Sequence, residues 1–270
     1  MDNMQKTRTR VLPWHWILPG LAILLTAIWL YLTPEGILGK ANAIGYSVCH
    51  QIDARSFQFG DQKMPLCARC TGLFLGALLG VVYQLFRGRK GKMPSLPLMI
   101  LLGLFAFAWV FDGINSFLML HPTIPSLYET SNITRLITGT GMGLAIAGIL
   151  VPIFNQTMYQ EWEDISPLNN LGFVSGYLGA AMILDVLILL EIPWILFLLS
   201  LLSALGVLTL LTMVYSLVWV MIFKRENTYT GLQSLMMPLL GGYCVAILQI
   251  GAFDLVRFLM TGTWDGFGLF

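Results

Sequence analysis

Three cysteines and a histidine form the most reactive group of residues in the sequence. Cys49 and His50 are adjacent, and Cys67 and Cys70 follow at a spacing of three residues. Two cysteines at this spacing face the same way at the start of a helix, and the spacing is that of one half of a structural zinc site. The sequence therefore predicts a site for zinc or another thiophilic metal with four candidate ligands, Cys49, His50, Cys67 and Cys70.

Because Cys49 and His50 are adjacent, a metal site that uses all four residues as ligands requires an unusual backbone geometry. Neighbouring residues of a regular helix or strand point in different directions, so both side chains could bind one metal only in an irregular turn. Three thiolates and a water molecule, with His50 nearby as an acid or base, would avoid that strain. Two further interpretations stay open: a redox pair of Cys67 and Cys70, with Arg69 favouring the thiolate, or a disulfide that ties the loop to the next helix.

Polar residues in otherwise apolar segments form the second candidate site. Asp112 and Asn115 share one helix face, and Asn132 and Arg135 share another. Ionisable side chains inside membrane helices are costly and usually pair or carry function. We therefore expect an Asp112–Arg135 ion pair between two helices, or a polar pocket beneath the cysteines, and the two are compatible. Asp112, Arg135 and Arg69 are the candidate catalytic residues.

The composition places these residues in a membrane protein. Hydrophobic residues make up 57% of the 270 residues and charged residues 11%, against about 25% charged in soluble domains. This excludes a disordered chain and a typical cytosolic enzyme, and a net charge of +1 predicts no nucleic-acid partner. The prediction is an all-α polytopic transmembrane helix bundle of about seven spans. The predicted spans are Trp14–Thr33, Ala68–Phe86, Leu96–Phe117, Ile133–Phe154, Leu171–Leu190, Ile192–Phe223 and Leu232–Met260.

The basic residues predict the orientation of the bundle. Nine of the fifteen lie on one side of a seven-span topology, which is then cytoplasmic and includes the amino terminus. These nine are Lys6, Arg8, Arg10, Arg87, Arg89, Lys90, Lys92, Lys224 and Arg225. The connection 155–170 also falls on this side, although it is acidic. The segment Pro34–Cys67, named here the cysteine loop, is then extracytoplasmic, and it would be exported equally if the first span were a signal peptide.

Glycine spacing predicts one close helix contact. Gly139 and Gly143 lie four residues apart in the fourth span, and Gly72, Gly76 and Gly80 repeat the spacing in the second. Such seams let helix backbones approach closely, so the second and fourth spans are expected to cross. Among the other buried charges, Asp254 and Arg257 are expected to neutralise each other, and Asp185 has no evident partner.

The motifs together resemble a family of predicted prokaryotic integral membrane proteins that is known as a domain of unknown function. The resemblance covers about residues 45–145, and its most specific parts are the Cys-His-Gln and Pro-Leu-Cys-x-Arg-Cys-Thr-Gly blocks. The motifs that carry it are Cys49-His50-Gln51, Arg55-Ser56-Phe57, Gly60, Pro65–Gly72, Asp112-Gly113-x-Asn115-Ser116 and Asn132-x-x-Arg135-x-x-Thr138-Gly139. The resemblance implies a prokaryotic membrane protein and carries no catalytic residues over.

Three regions are expected: residues 1–33 as cytoplasmic tail and first span, 34–154 with the cysteine loop and spans two to four, and 155–270 as a three-span extension.

The leading hypothesis is a multi-pass plasma-membrane protein with a metal site at the extracytoplasmic interface. Its partners would be the lipid bilayer and a lipid-linked or small anionic substrate held by arginines. The alternatives are an ion or small-molecule transporter and a membrane thiol oxidoreductase.

Overall fold

The computed structural model describes residues 14–119 and 125–266, and within them the chain is an all-α bundle, as predicted. Lys6, Arg8 and Arg10 of the amino-terminal tail lie outside the described residues. The only strands in the described part are the two-residue β1 and β2, Gln58–Phe59 and Gln62–Lys63, which form an antiparallel hairpin. The helices are α1 Trp14–Leu32, α2 Gly36–Val48, α3 Ala68–Leu85, α4 Leu96–Leu118, α5 Asn132–Met158, α6 Leu171–Leu189, α7 Pro193–Ile222 and α8 Leu232–Thr261.

Six of these helices, α3 to α8, are each long and apolar enough to cross a membrane. The first helix continues into α2 through a bend of 101°, and this bent pair counts as a seventh candidate span. The first half of the cysteine loop is thus a helix, where the sequence analysis treats it as a non-spanning stretch. The seven predicted spans therefore agree with the helices, with the first span extended by a sharply bent segment.

The glycine seams of α3 and α5 meet as predicted. A Cβ atom added to Gly139 would lie 2.2 Å from the Arg69 carbonyl oxygen, and one added to Gly72 would lie 2.4 Å from the Leu136 carbonyl oxygen. Since real Cβ atoms do not come so close to a backbone oxygen, these positions require glycine. The contact holds the start of α3, which carries Cys70, directly against the start of α5, which carries Arg135.

Three connections with opposite charges meet at one end of the bundle. The amide N–H of Glu163 donates to the Arg89 carbonyl at 2.9 Å, and Lys92 pairs with Asp164 at 3.3 Å. The amide N–H of Gln160 donates to the carbonyl of Tyr229, in the connection between α7 and α8, at 2.9 Å. The acidic connection 155–170, which the topology placed beside the basic ones, thus lies against them and offsets their charge. The cysteine loop lies at the opposite end of the bundle.

The cysteine loop packs as a compact cap on its end of the bundle. After α2 it forms a short 3-10 turn, Asp53–Arg55, and then the hairpin. Phe57 and Met64 are buried against Leu136 of α5 and Leu196 of α7. This apolar contact anchors the loop to the helices that carry the polar residues.

Candidate metal centre

Three of the four predicted ligands come together. The Sγ atoms of Cys49, Cys67 and Cys70, named here the cysteine cluster, all lie within 4.8 Å of one another. Cys49 and Cys67 are buried, and all three are free thiols. Three thiolates at this spacing are close enough to bind a metal, and sulfur ligands select thiophilic metals such as zinc.

Local backbone structure explains how two distant segments deliver these thiols. Cys67 precedes the first residue of α3 with an extended backbone (φ −64°, ψ 159°), so its side chain and that of Cys70 project from the same first turn. On the other segment, Gln51 adopts a left-handed backbone (φ +52°) that turns the chain directly after Cys49. The Gln51 side-chain amide donates to the Pro65 carbonyl at 2.8 Å and joins the two segments.

Hydrogen bonds within the cysteine cluster favour a negatively charged sulfur. The backbone N–H groups of Gln51 and Cys67 donate to Cys49 Sγ at 3.4 and 3.3 Å. Hydrogen bonds from the Cys49 and Cys70 thiols hold the pKa of Cys67 well below its usual range. The pKa of Cys49 is raised to about 12, mainly by the hydrogen bond between Cys49 and Cys67. The hydrogen bonds thus favour the thiolate form of Cys67, which is the form that binds a metal.

The fourth predicted ligand, His50, lies at the edge of the cluster. The turn at Gln51 is irregular, as a four-ligand site requires, but the His50 side chain is exposed and is not among the three that converge. Its Nδ1 atom lies 3.9 Å from Cys49 Sγ. The geometry corresponds to three thiolates with the imidazole beside them, which leaves a fourth coordination position for another group.

An arginine that the sequence analysis assigned elsewhere holds the cysteine-bearing turn. Arg257 of α8 was expected to neutralise Asp254, but its guanidinium donates to the carbonyl oxygens of Tyr46 at 2.6 Å and Cys49 at 2.5 Å. It also lies over the Tyr46 ring, with 3.8 Å between its Cζ atom and the ring centroid. The free carbonyls at the end of α2 favour a cation. Arg257 thus fixes the backbone on which Cys49 sits.

We expect the variant Arg257→Met to bind zinc roughly 10- to 100-fold more weakly, the usual effect of losing an outer-shell contact at a metal site. The measurement is competition with a chelator of known affinity, using purified protein. Arg225→Met, at an exposed position at the other end of the bundle, serves as the control and should bind zinc like the unmodified protein. Equal affinities in both variants would contradict a positioning role for Arg257.

The expected Asp112–Arg135 ion pair is wrong, because Asp112 pairs with Arg69. Arg69 Nε donates to Asp112 Oδ2 at 3.1 Å, and its Nη2 contacts the same oxygen. The other carboxylate oxygen accepts from the Tyr128 hydroxyl at 2.7 Å. The first turn of α3 brings Arg69 to α4 because the glycine contact draws α3 against α5, which also packs on α4. Burial and the hydrogen bond to Asp112 raise the pKa of Tyr128 to about 12, so its hydroxyl remains a donor.

Arg135 has neutral oxygen partners instead. Its guanidinium donates to Ser116 Oγ at 3.2 Å, to Asn132 Oδ1 at 2.9 Å and to Thr130 Oγ1 at 2.6 Å. Sequence analysis had singled out Ser116, Asn132 and Arg135 but missed Thr130 and Tyr128. Both lie in the irregular connection between α4 and α5, where no helical spacing relates them to Asp112. The predicted polar residues therefore do converge, with two added partners.

Three arginines gather around Asp112 and Ser116 of α4, and one of them, Arg69, lies between Cys67 and Cys70 in the first turn of α3. Arg55 reaches the same place from the 3-10 turn and donates to the Ser116 carbonyl at 3.1 Å. Burial and the neighbouring Arg69 guanidinium lower the pKa of Arg55, and the Cys67 thiolate opposes this shift. We name Arg55, Arg69 and Arg135 the arginine cluster. Three guanidinium groups against the Asp112 carboxylate leave two positive charges in excess, and such a cluster attracts an anion.

Two further carboxylates, on α6 and α8, belong to neither cluster. Asp185 of α6 accepts a hydrogen bond from Thr140 Oγ1 at 2.6 Å, and this is the partner that the sequence did not reveal. Asp254 of α8 accepts from Trp29 Nε1 of α1 at 3.0 Å. The two carboxylates thus join different helix pairs.

Comparison with known sequences agrees with the resemblance noted above. The profile of the family DUF2085, described as predicted membrane protein, matches residues 49–149. An uncharacterised protein of Methanocaldococcus jannaschii is 30% identical over 118 residues, which is 43% of this chain and 69% of the relative. An uncharacterised protein of Methanothermobacter thermautotrophicus is 31% identical over 101 residues, 37% of this chain and 82% of the relative. The chain belongs to the DUF2085 family. No solved structure matches it.

The DUF2085 match covers the cysteine cluster, α3, α4 and most of α5. It therefore includes both clusters, because the arginine cluster and Asp112 also lie between residues 49 and 149. Arg257 lies outside the match, although it contacts the Cys49 carbonyl. In this DUF2085 protein a helix beyond the matched region thus completes the surroundings of the candidate metal centre.

Proposed function

We propose that this protein is an integral membrane metalloprotein that acts on a lipid-linked or other amphiphilic anionic substrate. The cysteine cluster would hold zinc or another thiophilic metal, and the arginine cluster would bind the anionic head group. The observation that carries this proposal is that three thiols lie within 4.8 Å of one another while three arginines meet around Asp112 and Ser116. Arg69 pairs with Asp112, and Arg55 and Arg135 donate to the carbonyl and hydroxyl oxygens of Ser116.

The roles of the chain's own residues follow from their contacts. Both carboxylate oxygens of Asp112 accept hydrogen bonds, so Asp112 would position Arg69 rather than act as a base. Arg55 is half-buried. Within residues 14–119 and 125–266 its side chain donates one hydrogen bond, so most of its five donors remain for a ligand. His50, exposed beside Cys49, would move a proton at the edge of the centre. A zinc ion held by three thiolates keeps a fourth position for substrate and acts as a Lewis acid.

Charge distribution supports an extracytoplasmic location for both clusters. Six basic residues lie in the connections at the opposite end of the bundle, Arg87, Arg89, Lys90, Lys92, Lys224 and Arg225. An excess of lysine and arginine in short connections is typical of the cytoplasmic side. The centre would then lie near the head groups of the outer membrane surface, where an amphiphilic substrate can reach it with its chain still in the bilayer.

The test is binding of decyl phosphate to the zinc-loaded protein in detergent, with decanol as the uncharged comparison. We expect decyl phosphate to bind at least about tenfold more tightly than decanol. Arg55→Gln should remove most of that difference, because a charge-assisted contact contributes about 1.5–3 kcal/mol. Lys63→Gln is the matched control, because Lys63 lies in the same loop and pairs with Asp53 at 2.6 Å. Equal binding of both compounds, or equal loss in both variants, would contradict the arginine-cluster site.

The alternatives predict different behaviour of the same preparation. A thiol oxidoreductase would contain no metal, and its Cys67 and Cys70 would cycle between dithiol and disulfide. A transporter would lose transport on Asp185→Asn, whereas the proposed function depends on neither Asp185 nor Asp254. Measured metal content, thiol count and the Asp185 variant therefore separate the three functions.

A further inference from the structure

A cavity lies between α1 and α8, and none of the three residues of the arginine cluster lines it. It has a volume of about 540 Å³, within the range of roughly 300–1,000 Å³ that small-molecule sites occupy. Leu25 and Ile247 are among the apolar side chains that line it. Neither the family match, which ends at residue 149, nor the proposed function assigns a role to this cavity.

One carboxylate in the cavity wall lacks half of its hydrogen bonds. Asp254 is only 3% exposed, and its Oδ2 atom accepts from Trp29 Nε1. Its Oδ1 atom has no hydrogen-bond partner within residues 14–119 and 125–266. A buried carboxylate is stable as an ion only with a compensating cation or donor. The indole fixes the carboxylate, and the second oxygen is left without a donor in the described part of the chain.

Three aromatic rings line the cavity together with this carboxylate. Trp29, Phe258 and Trp264 all belong to its wall, and the rings of Phe258 and Trp264 pack with centroids 5.4 Å apart. Ring faces attract organic cations, most strongly where water is excluded. Arg257, one turn after Asp254, lines a different cleft with Tyr46 and His50. The α1–α8 cavity therefore combines a carboxylate and aromatic rings, the two features that recognise an ammonium group.

The rim of the cavity faces the bilayer. Four of its lining residues are exposed apolar side chains on the outer surface of α1 and α8, Ile28, Leu32, Leu248 and Leu255. On a membrane-spanning bundle such a surface contacts lipid chains. A ligand would thus enter from the membrane with its hydrocarbon part along this rim. We propose that the α1–α8 cavity binds a membrane-dissolved amphiphile with a protonated amine, which pairs with Asp254.

The test is binding of dodecylamine to the purified protein in phosphatidylcholine nanodiscs, compared with dodecanol and dodecanoate. We expect the amine to bind at least tenfold more tightly than either comparison compound. Asp254→Asn should remove this preference, whereas Asp185→Asn, which changes a carboxylate on α6, should leave it within twofold. Equal binding of amine and alcohol, or equal effects of the two variants, would overturn the proposal.

A second variant tests the proposal independently, in case Asp254→Asn does not fold. Ala252 lines the cavity and is exposed, so Ala252→Phe fills it from the membrane side. Gly179→Phe is its control, because a Cβ atom at Gly179 meets nothing within 4 Å. We expect at least a tenfold loss of amine binding in Ala252→Phe and less than twofold in Gly179→Phe. Unchanged binding in Ala252→Phe would place the amine elsewhere and overturn the proposal.

Discussion

Replacing Cys67 with serine should reduce bound zinc from about one ion per chain to less than about one tenth, since a serine hydroxyl is not the thiolate ligand that a structural or catalytic zinc site uses. Cys67 belongs to the cysteine cluster, and hydrogen bonds from the other two thiols lower its pKa. The measurement is elemental analysis of detergent-purified protein with a parallel count of free thiols. This loss has the largest expected effect on the proposed function.

Cys244 provides the matched control for this experiment. It is the fourth cysteine of the chain, buried in α8, and does not belong to the cysteine cluster. Cys244→Ser should retain the zinc of the unmodified protein. Unmodified protein without metal and with two oxidised thiols would instead contradict the metal centre and favour a redox pair or a disulfide. Zinc retained in Cys67→Ser would place the metal at other residues.

Replacing Gly143 with alanine should destabilise the bundle by about 3 kcal/mol, the upper part of the usual range for overpacking. The added Cβ would lie 2.2 Å from the Leu73 carbonyl oxygen and 2.6 Å from the Ala77 nitrogen. Both atoms are backbone, so α3 and α5 must move apart. For a chain of this size we expect the melting temperature in detergent to fall by roughly 6–12 °C.

Gly103→Ala on α4 is the control for the helix contact. A Cβ atom at Gly103 meets nothing within 4 Å, so alanine should change the melting temperature little, or raise it through its better helix propensity. Zinc content gives a second measurement, because separation of α3 from α5 also displaces Cys70 and Arg69. Equal melting temperatures for the two alanine variants would contradict a close α3–α5 contact in the membrane.

Much of the architecture could be predicted because it depends on local properties of the chain. Continuous apolar runs have to satisfy their backbone groups as helices in lipid, and this placed seven spans where the helices are. Glycines spaced by four residues form a smooth face on any helix, so the α3–α5 contact followed from spacing. The three-residue interval between Cys67 and Cys70 likewise places both thiols in one helical turn.

Which polar side chains pair between the helices could not be predicted in the same way. Sequence analysis paired Asp112 with Arg135, since both lie at corresponding depths of neighbouring spans. The rotation of α3 about its own axis brings Arg69 to Asp112 instead, and no periodicity within either segment specifies that rotation. Tyr128 and Thr130 were missed for a related reason, because residues of an irregular connection have no regular spacing from the helices that they contact.

The sequence by itself thus determined the membrane location, the helical class, the crossing of two glycine-lined helices and the set of thiols. Only the tertiary structure decided that His50 stands beside the cysteine cluster, that Asp112 pairs with Arg69, and that Arg257 holds the turn at Cys49. These contacts join residues 43 and 208 positions apart. Such contacts depend on how whole helices pack and rotate against each other, whereas hydropathy and spacing report only on the neighbours of each residue along the chain.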